Sequence, residues 1–306
     1  VSKEKREKVL SVLKDIDYQI PENTRKAGIR RIHTIGVVVS EMTNPYFLSA
    51  FEGIASVADQ YDIDVVFYNS DRNPEKEIRA LKRLKEMQVQ GIIIAPTLDF
   101  DNFQSSQRFG EAMNNTKIPI VFMDATAELD ERDGVFFDNF AGAFKAVDAM
   151  IQAGHREIGI LTGDRRIKTV RDRFRGYCKA LEVNGIERRD NFILEGDFTR
   201  EGAYRTAKEY LKNGKMPQAI FTCNNFTTEG FFKAVLEEKL VLGQDIFCMA
   251  FDKLEQFDMF GLNYSYLERN PWEMGKAAME MLLERLKNPS ILCTRKIIPF
   301  HIIMNS

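Results

Sequence analysis

The sequence alternates short apolar runs with longer amphipathic segments along almost its whole length. Unbroken apolar runs of this size predict buried parallel strands. In the first half they lie at 35–39, 64–67, 91–95, 119–123 and 135–137, and in the second half at 158–161, 192–194, 219–222 and 247–250. Helices are predicted between them near 46–60, 75–88, 101–115, 140–153, 170–184, 200–213 and 226–239. The pattern therefore predicts an α/β fold with two doubly wound parallel-sheet subdomains.

The length of the chain agrees with two such units. Single hydrophobic cores rarely grow beyond roughly 250 to 300 residues, and this chain has 306. Open parallel sheets bind ligands outside the carboxyl ends of their strands. We therefore expect a binding site built from the residues that follow the strands.

Composition excludes several classes of protein. No stretch approaches the roughly 20 apolar residues of a membrane helix, and the opening residues are too charged for a signal peptide. The four cysteines and three histidines lack metal-ligand spacing. Phosphate-binding and nucleophile motifs of common enzymes are missing too. We expect a cytoplasmic protein with no membrane contact, no metal, no cofactor and no enzymatic activity.

Residues 1–32 differ from the rest in charge. They contain nine Lys and Arg but five Asp and Glu, whereas the whole chain has a net charge of -2. The positive charge is therefore concentrated in one terminal segment. Basic segments of this kind contact nucleic-acid phosphates.

Ordered motifs along the chain resemble the LacI/GalR family of bacterial transcriptional regulators, which shares its fold with periplasmic sugar-binding proteins. The resemblance covers essentially the whole chain. Its motifs are Asn44-Pro45-Tyr46-Phe47, Asn69-Ser70-Asp71, Gly154-His155-Arg156-Glu157-Ile158, Arg173-Phe174-Arg175-Gly176-Tyr177, Gly196-Asp197-Phe198-Thr199, Asn224-Asn225-Phe226-Thr227 and Phe251-Asp252.

This resemblance implies a periplasmic-binding-protein-like module whose subdomains are joined by three crossover segments, near 154–157, 268–271 and 298–300. It implies three regions. They are a remnant of a DNA-binding headpiece and hinge at 1–32, an N-terminal effector subdomain at 33–155 plus 271–298, and a C-terminal effector subdomain at 156–270 plus 299–306. Operator DNA is then a partner of the full-length protein but not a specific partner of this chain, because the recognition helix would precede Val1.

The predicted hinge departs from the family pattern. Tyr18 and Pro21 are separated by two residues, which places Gly28 where the family has a leucine that wedges into the minor groove. The family's wedge is therefore not expected at this position, unless a shifted register brings Ala27 or Ile29 there.

The resemblance implies an effector site in the cleft. Aromatic contacts are expected from Tyr46, Phe47 and Phe198, although all three are also candidates for ordinary core rings. Arg173 and Asp252 match the charged anchors of the family.

Asn224 and Asp138 complete the expected site. Each equally suits the N-cap of the following helix, as do their neighbours Asn225 and Asn139. Asp99 and Asp124 follow further strands and are weaker candidates.

The resemblance implies a ligand-responsive regulator of carbohydrate metabolism that binds a small sugar or sugar-derived acid. Arg165, Arg166 and Lys168 would suit an acid, or else form a solvated loop. A sugar-binding subunit of a transporter and a sugar-converting enzyme remain open as other functions. A homodimer is expected through the helix near 46–60 and the strand and helix near 64–88, because palindromic operators require two-fold proteins.

Overall fold

Both predicted sheets are present, and each has six strands. The computed structural model describes residues 33–97, 103–124, 132–213 and 217–305. All pairings in the first sheet are parallel. From edge to edge this sheet contains β11 (Arg295–Ile297), β5 (Gly134–Phe136), β4 (Ile120–Asp124), β3 (Gly91–Ile94), β1 (Thr34–Val39) and β2 (Asp64–Asn69).

The second sheet repeats this order with one difference. It contains β12 (Phe300–Ile303), β10 (Ser265–Arg269), β9 (Phe247–Phe251), β8 (Ala219–Thr222), β6 (Ile158–Thr162) and β7 (Ile193–Glu195). Only β12, at one edge, is antiparallel to its neighbour among these described strands. The α/β class with two doubly wound sheets is confirmed.

Helices connect the strands and cover the sheet faces. Three of them begin with an Asn-Pro pair, in which Asn44, Asn73 or Asn270 accepts a backbone N–H bond and the proline starts the first turn. The helices are α1 (Pro45–Gln60), α2 (Pro74–Glu86), α3 (Phe103–Thr116), α4 (Asn139–Gln152), α5 (Lys168–Val183), α6 (Arg200–Lys212), α7 (Asn225–Glu237), α8 (Glu255–Asp258) and α9 (Pro271–Lys287), with a short 3-10 turn at Asp190–Phe192.

The structure differs from the expected first crossover near 154–157. The N-terminal subdomain predicted at 33–155 includes α4, but the apolar face of this helix packs on the second sheet. Ala146, Val147 and Met150 are fully buried in one cluster with Ile160 and Phe221. The chain therefore leaves the first sheet at 137–138, before α4, because the apolar stripe of this helix is buried against strands that follow it.

The chain returns to the first sheet at Asn270, the N-cap of α9, and passes to the second sheet again between β11 and β12. Helix α9 packs closely on α1. A Cβ atom at Gly53 would lie 2.0 Å from the carbonyl oxygen of Trp272, and one at Gly275 would lie 1.8 Å from that of Ala50. Only glycine allows the two backbones to approach this closely. We propose subdomains of 33–137 plus 271–298 and 138–270 plus 299–305.

Thr34–Ser306 form one compact unit. The carboxyl ends of both sets of parallel strands border one cleft within it, and this arrangement positions the candidate site. The headpiece, hinge and Asp99 predictions concern residues that lie outside the described ranges.

Candidate functional site

A cavity lies in this cleft and is lined by residues from both sheets. The first sheet contributes the loop after β1, the start of α1 and the ends of β3 and β4. The second contributes the start of α5, the residues after β7, β8 and β9, and the end of β10. The space open to the centre of a water molecule is ≈ 80 Å³. One water needs roughly 10 to 15 Å³ by this measure, so the space suits a small molecule and not a polymer.

A buried ion pair forms one wall of the cavity. Asp252 accepts two hydrogen bonds from Arg269, from Nε at 2.6 Å and from Nη2 at 2.8 Å. The side chains are only 3% and 10% exposed for Arg269 and Asp252. Bidentate pairs of this kind fix both side chains in one geometry. The acid predicted as an anchor therefore already has a partner, which sequence reasoning missed.

Aromatic rings surround the guanidinium of Arg269. It lies 4.2 Å from the ring centroid of Tyr46, 4.8 Å from that of Phe137 and 4.9 Å from that of Phe251. Burial lowers the pKa of this group, but Asp252 and the other acidic neighbours outweigh burial and raise the pKa overall. Arg269 is therefore a permanent cation at the junction of the two sheets.

Arg173 lies beside this pair, on the first turns of α5. It donates to the side-chain oxygen of Asn139 at 2.9 Å and to the carbonyl oxygen of Cys223. Its guanidinium stacks 3.7 Å from the centroid of Phe251. Burial first, and then the nearby charge of Arg269, lower the pKa of Arg173 to about 10. Its hydrogen-bond partners are neutral, whereas the nearby carboxylates of Asp252 and Asp124 act on it through space and oppose this lowering of its pKa.

Tyr46 joins the first sheet to the same cluster. Its hydroxyl donates to Asp124 Oδ1 at 2.5 Å, and Asp124 also lies 3.5 Å from Arg269 Nη1. Burial and the charge of Asp124 raise the pKa of the Tyr46 hydroxyl well above its usual value. Tyr46 therefore acts as a hydrogen-bond donor. Its ring meets Phe47 edge to face, with centroids 5.1 Å apart.

Hydrogen bonds connect the two sides of the cleft directly. Asn225 Nδ2 donates to Asn44 Oδ1 at 3.1 Å, and Arg72 donates to the carbonyl oxygen of Phe198 at 3.4 Å. Asn44 simultaneously caps α1. The two sides are thus in direct contact across the cleft.

Several cavity residues have unusual backbone angles. Asp124 has φ 66°, Phe198 φ 65°, Asp252 φ 116° and Arg72 φ 53°. Residues other than glycine seldom adopt such values, and strain of this kind clusters at binding and catalytic sites.

The structure brings together six of the seven residues predicted for the site. These six, all lining the cavity, are Tyr46, Phe47, Arg173, Phe198, Asn224 and Asp252. Asp138 does not line it. Its exposed side chain accepts from the N–H of Ala141 at 2.8 Å, so Asp138 serves as the N-cap of α4.

The remaining polar and basic candidates have different positions. Asn224 both caps α7 and lines the cavity. Arg165 and Arg166 pair with Glu195 and Asp164 outside the cavity. Lys168 lines the cavity but is bonded to Asp172 at 2.6 Å.

Sequence reasoning missed Arg269, Asn44, Arg72 and Glu41 as cavity residues. Arg269 ends β10, and the rule for strand ends identifies it once that strand is recognised. Asn44 belongs to one of the family motifs, but only its neighbours were assigned a role.

The described part of the chain contains no group of three or more His, Cys, Asp or Glu side chains placed to hold a metal. The cysteines there are free thiols.

Among the described helices, none has the length and apolar character needed to span a bilayer.

Known proteins resemble the chain over nearly its full length. The family described as periplasmic binding proteins and sugar binding domain of LacI family matches residues 32–299. The ribose operon repressor of Haemophilus influenzae is 27% identical over 290 residues, which is 95% of this chain and 85% of the relative. The transcriptional repressor PurR of Photobacterium profundum is 26% identical over 289 residues, or 94% and 85% of the two chains.

A solved LacI-family regulator from Enterococcus faecium, with bound ribose, superposes with a TM-score of 0.79 at 22% identity, covering 89% of this chain and 97% of that one. At this identity the likeness shows the fold alone. The family match itself extends over most of the chain and both sheets. The chain therefore belongs to the LacI family.

Proposed function

We propose that the chain is the effector-sensing and dimerisation module of a ligand-responsive transcriptional regulator of carbohydrate metabolism. A small sugar or sugar-derived acid binds in the cleft. The observation that carries this proposal is the meeting of six expected ligand residues from both sheets in one cavity. The relatives support it, because they are named as repressors and one solved regulator holds ribose.

Within the cavity the proposed roles follow from chemistry. Phe47 and Phe198 offer apolar ring faces to the carbon skeleton of the ligand, and Asn224 offers its amide. Arg173 donates hydrogen bonds to ligand oxygens, and Asp252 orients Arg269. A ligand held from both sides favours the closed arrangement and shifts the population toward it. Operator DNA is the second proposed partner of the regulator, and a regulator that acts on DNA in this way would work in the cytoplasm.

Thermal shift and calorimetry test the binding site. A sugar at 100 times its Kd stabilises the protein by roughly 2.7 kcal/mol. Arg173→Ala is expected to abolish this shift, because a buried charged donor contributes roughly 2 to 5 kcal/mol to binding. Arg175→Ala is the matched control, since Arg175 lies on the same helix with 66% of its side chain exposed. Equal affinity in both variants would contradict the assignment.

We also propose a homodimer through α1, β2 and α2. The apolar stripe of α2 is not available for it, because Ile78, Leu81 and Leu84 are buried under the first sheet. The large apolar residues of this region that are about half exposed are Leu48, Tyr61 and Met87, at 47%, 50% and 53%. Light scattering at micromolar concentration tests this. A monomeric mass with and without ligand contradicts the dimer.

A further inference from the structure

All three crossovers between the subdomains lie at one edge of the two sheets. The chain crosses after β5, after β10 and between β11 and β12. In the first sheet β11 and β5 are the edge strand and its neighbour, and β12 and β10 have the same positions in the second sheet. A rotation that opens the cleft about these crossovers therefore separates the opposite edges, formed by β2 and β7, more than any other part of the sheets.

Contacts join the subdomains at three distances from the crossovers. The nearest joins the ends of β4 and β10, where Asp124 lies 3.5 Å from Arg269. The next joins the residues that follow β1 and β8, at 3.1 Å. The farthest joins the residues that follow β2 and β7, where Nη1 of Arg72 donates to the carbonyl oxygen of Phe198 at 3.4 Å.

The distance from the crossovers determines which contact breaks first. β2 lies four strand positions from β5, whereas β4 lies one position away. At the usual strand spacing these positions correspond to roughly 19 and 5 Å, so a rotation of about 10° would separate them by roughly 3 and 1 Å. An added 3 Å breaks the hydrogen bond of Arg72, since such bonds weaken steeply with distance. The contact at Arg72 is therefore the first to be lost when the cleft opens.

The backbone and the charges around Arg72 direct its side chain across the cleft. Asp71 and Arg72 have left-handed backbone angles, with φ 57° and 53°, and the N–H of Arg72 donates to the carbonyl oxygen of Ser40 at 2.8 Å. Glu41 Oε1 lies 3.7 Å from Nη2 of Arg72. Burial raises the pKa of Glu41, and the charges of Arg72 and of Arg200, at the start of α6, oppose this shift. The attraction between Glu41 and Arg200 also crosses the cleft at this edge.

The acceptor on the other side is held in place as well. Phe198 has φ 65°, and its ring lies against the backbone of Gly163, where a Cβ atom would be 2.2 Å from the ring. Thr199 follows directly and caps α6. The carbonyl oxygen of Phe198 therefore has a fixed position when Arg72 reaches it.

We propose that Arg72 is the latch of the cleft, a positioning residue that holds the subdomains closed by joining Glu41 on its own side to Phe198 on the other. The latch consists of contacts within the protein, so it acts with or without a ligand. A ligand inside the cleft would escape more slowly because this contact must break first. Only that consequence rests on the proposed function.

The test measures the distance between the subdomains by double electron–electron resonance on the chain without any sugar. Spin labels are attached at Arg79→Cys in α2 and Glu209→Cys in α6, two exposed positions on opposite sides of the cleft. Cys178→Ser and Cys293→Ser remove the accessible thiols, and the other two cysteines are buried. Labelled chain is diluted with unlabelled chain, so that distances within one chain are measured even in a dimer.

Arg72→Met keeps an unbranched side chain and removes the donor. The population at the longer distance is expected to rise about 2- to 10-fold, the range for one hydrogen bond. The urea midpoint is expected to stay close to that of the parent, because Arg72 is partly exposed, so the effect is on opening and not on folding. Arg72→Gln, whose side chain is too short to cross the cleft, replaces Arg72→Met if circular dichroism shows that this variant does not fold.

Lys76→Met is the matched control. Lys76 is an exposed cation of the same segment, but it pairs with Asp71 of its own subdomain at 2.8 Å and does not cross the cleft. Its distance distribution is expected to match that of the parent. An equal rise in Lys76→Met overturns the inference, because the charge of the segment and not the contact with Phe198 would then be responsible.

The same distance distribution in the parent and in Arg72→Met also overturns the inference, whatever the cleft binds. The proposed function is tested separately, by calorimetry on Arg173→Ala and its control. Failure of one proposal is therefore distinguishable from failure of the other.

Discussion

Burial, and not pair geometry, is expected to determine how much the Arg269–Asp252 pair matters for stability. In Asp252→Asn the guanidinium keeps its charge inside a wall of three rings while it loses its carboxylate. Removing one member of a buried pair costs about 3 to 5 kcal/mol. Cation–π contacts and the 3.5 Å approach of Asp124 offset part of this cost. We therefore expect a loss of about 3 kcal/mol in the free energy of unfolding.

A double-mutant cycle measured by urea unfolding isolates the pair. Arg269→Met removes the buried cation, so Asp252→Asn added to it is expected to cost much less than it does alone. The coupling energy is then about 2 kcal/mol or more, because each single variant leaves a buried group without its partner. Additive effects would show that the two side chains do not depend on each other.

A second bidentate Arg–carboxylate pair lies at the surface and serves as a comparison for the buried Arg269–Asp252 pair. Arg108 donates to both oxygens of Glu75 at 2.5 and 2.8 Å, so this pair is also bidentate. Its side chains are 57% and 54% exposed. Glu75→Gln is therefore expected to cost only roughly 0.2 to 1 kcal/mol. If Asp252→Asn costs no more than Glu75→Gln, the reasoning about burial is wrong.

Three further changes test other parts of the structure. Burial raises the pKa of Glu77 above its ordinary value of 4.5, so the protein loses stability as the pH rises and the buried carboxyl group must ionise. Denaturation midpoints measured across pH should therefore show the stability of Glu77→Gln rising relative to that of the parent toward neutral pH. Gly275→Ala places a methyl group 1.8 Å from the backbone oxygen of Ala50 and should lower thermal stability by about 1 to 3 kcal/mol, whereas an unchanged melting temperature would contradict the tight helix contact. Asn44→Ala removes the cap of α1 and the bond from Asn225, and chemical unfolding should show a loss of about 1 to 2 kcal/mol.

Strands with continuous apolar sequence were predictable because a strand covered on both faces has apolar residues at every position. β1 and β9 are examples, and each lies within a residue of its predicted bounds. β10 was not predicted, because Ser265, Glu268 and Arg269 interrupt the apolar pattern. β11 is exposed throughout and carries no hydrophobic signal.

The assignment of α4 shows a second limit of the sequence. An amphipathic helix indicates that one face is buried, but not against which sheet. Its apolar stripe would suit either sheet, and the order of the chain favoured the preceding one. The same limit applies to α2, because its sequence alone does not show that Ile78, Leu81 and Leu84 pack in the core of the first sheet.

The family resemblance supplied the candidate site residues, and strand order explains why their loops meet. Arg173, Phe198 and Asp252 come from different connections of the second sheet, and parallel strands bring those connections to one edge.

The hydrogen-bond partner of each side chain could not be predicted, because it depends on backbone angles that residue type does not specify. Tight turns are usually sought at glycine, which adopts positive φ without strain. In this cleft Asp124, Phe198 and Asp252 adopt positive φ instead, and each places a functional side chain where glycine would have none. Such conformations persist only where surrounding contacts hold them, as Tyr46 holds Asp124 and Arg269 holds Asp252. The same contacts that hold these strand ends in strained backbone conformations also fix the two carboxylates in the wall of the cavity.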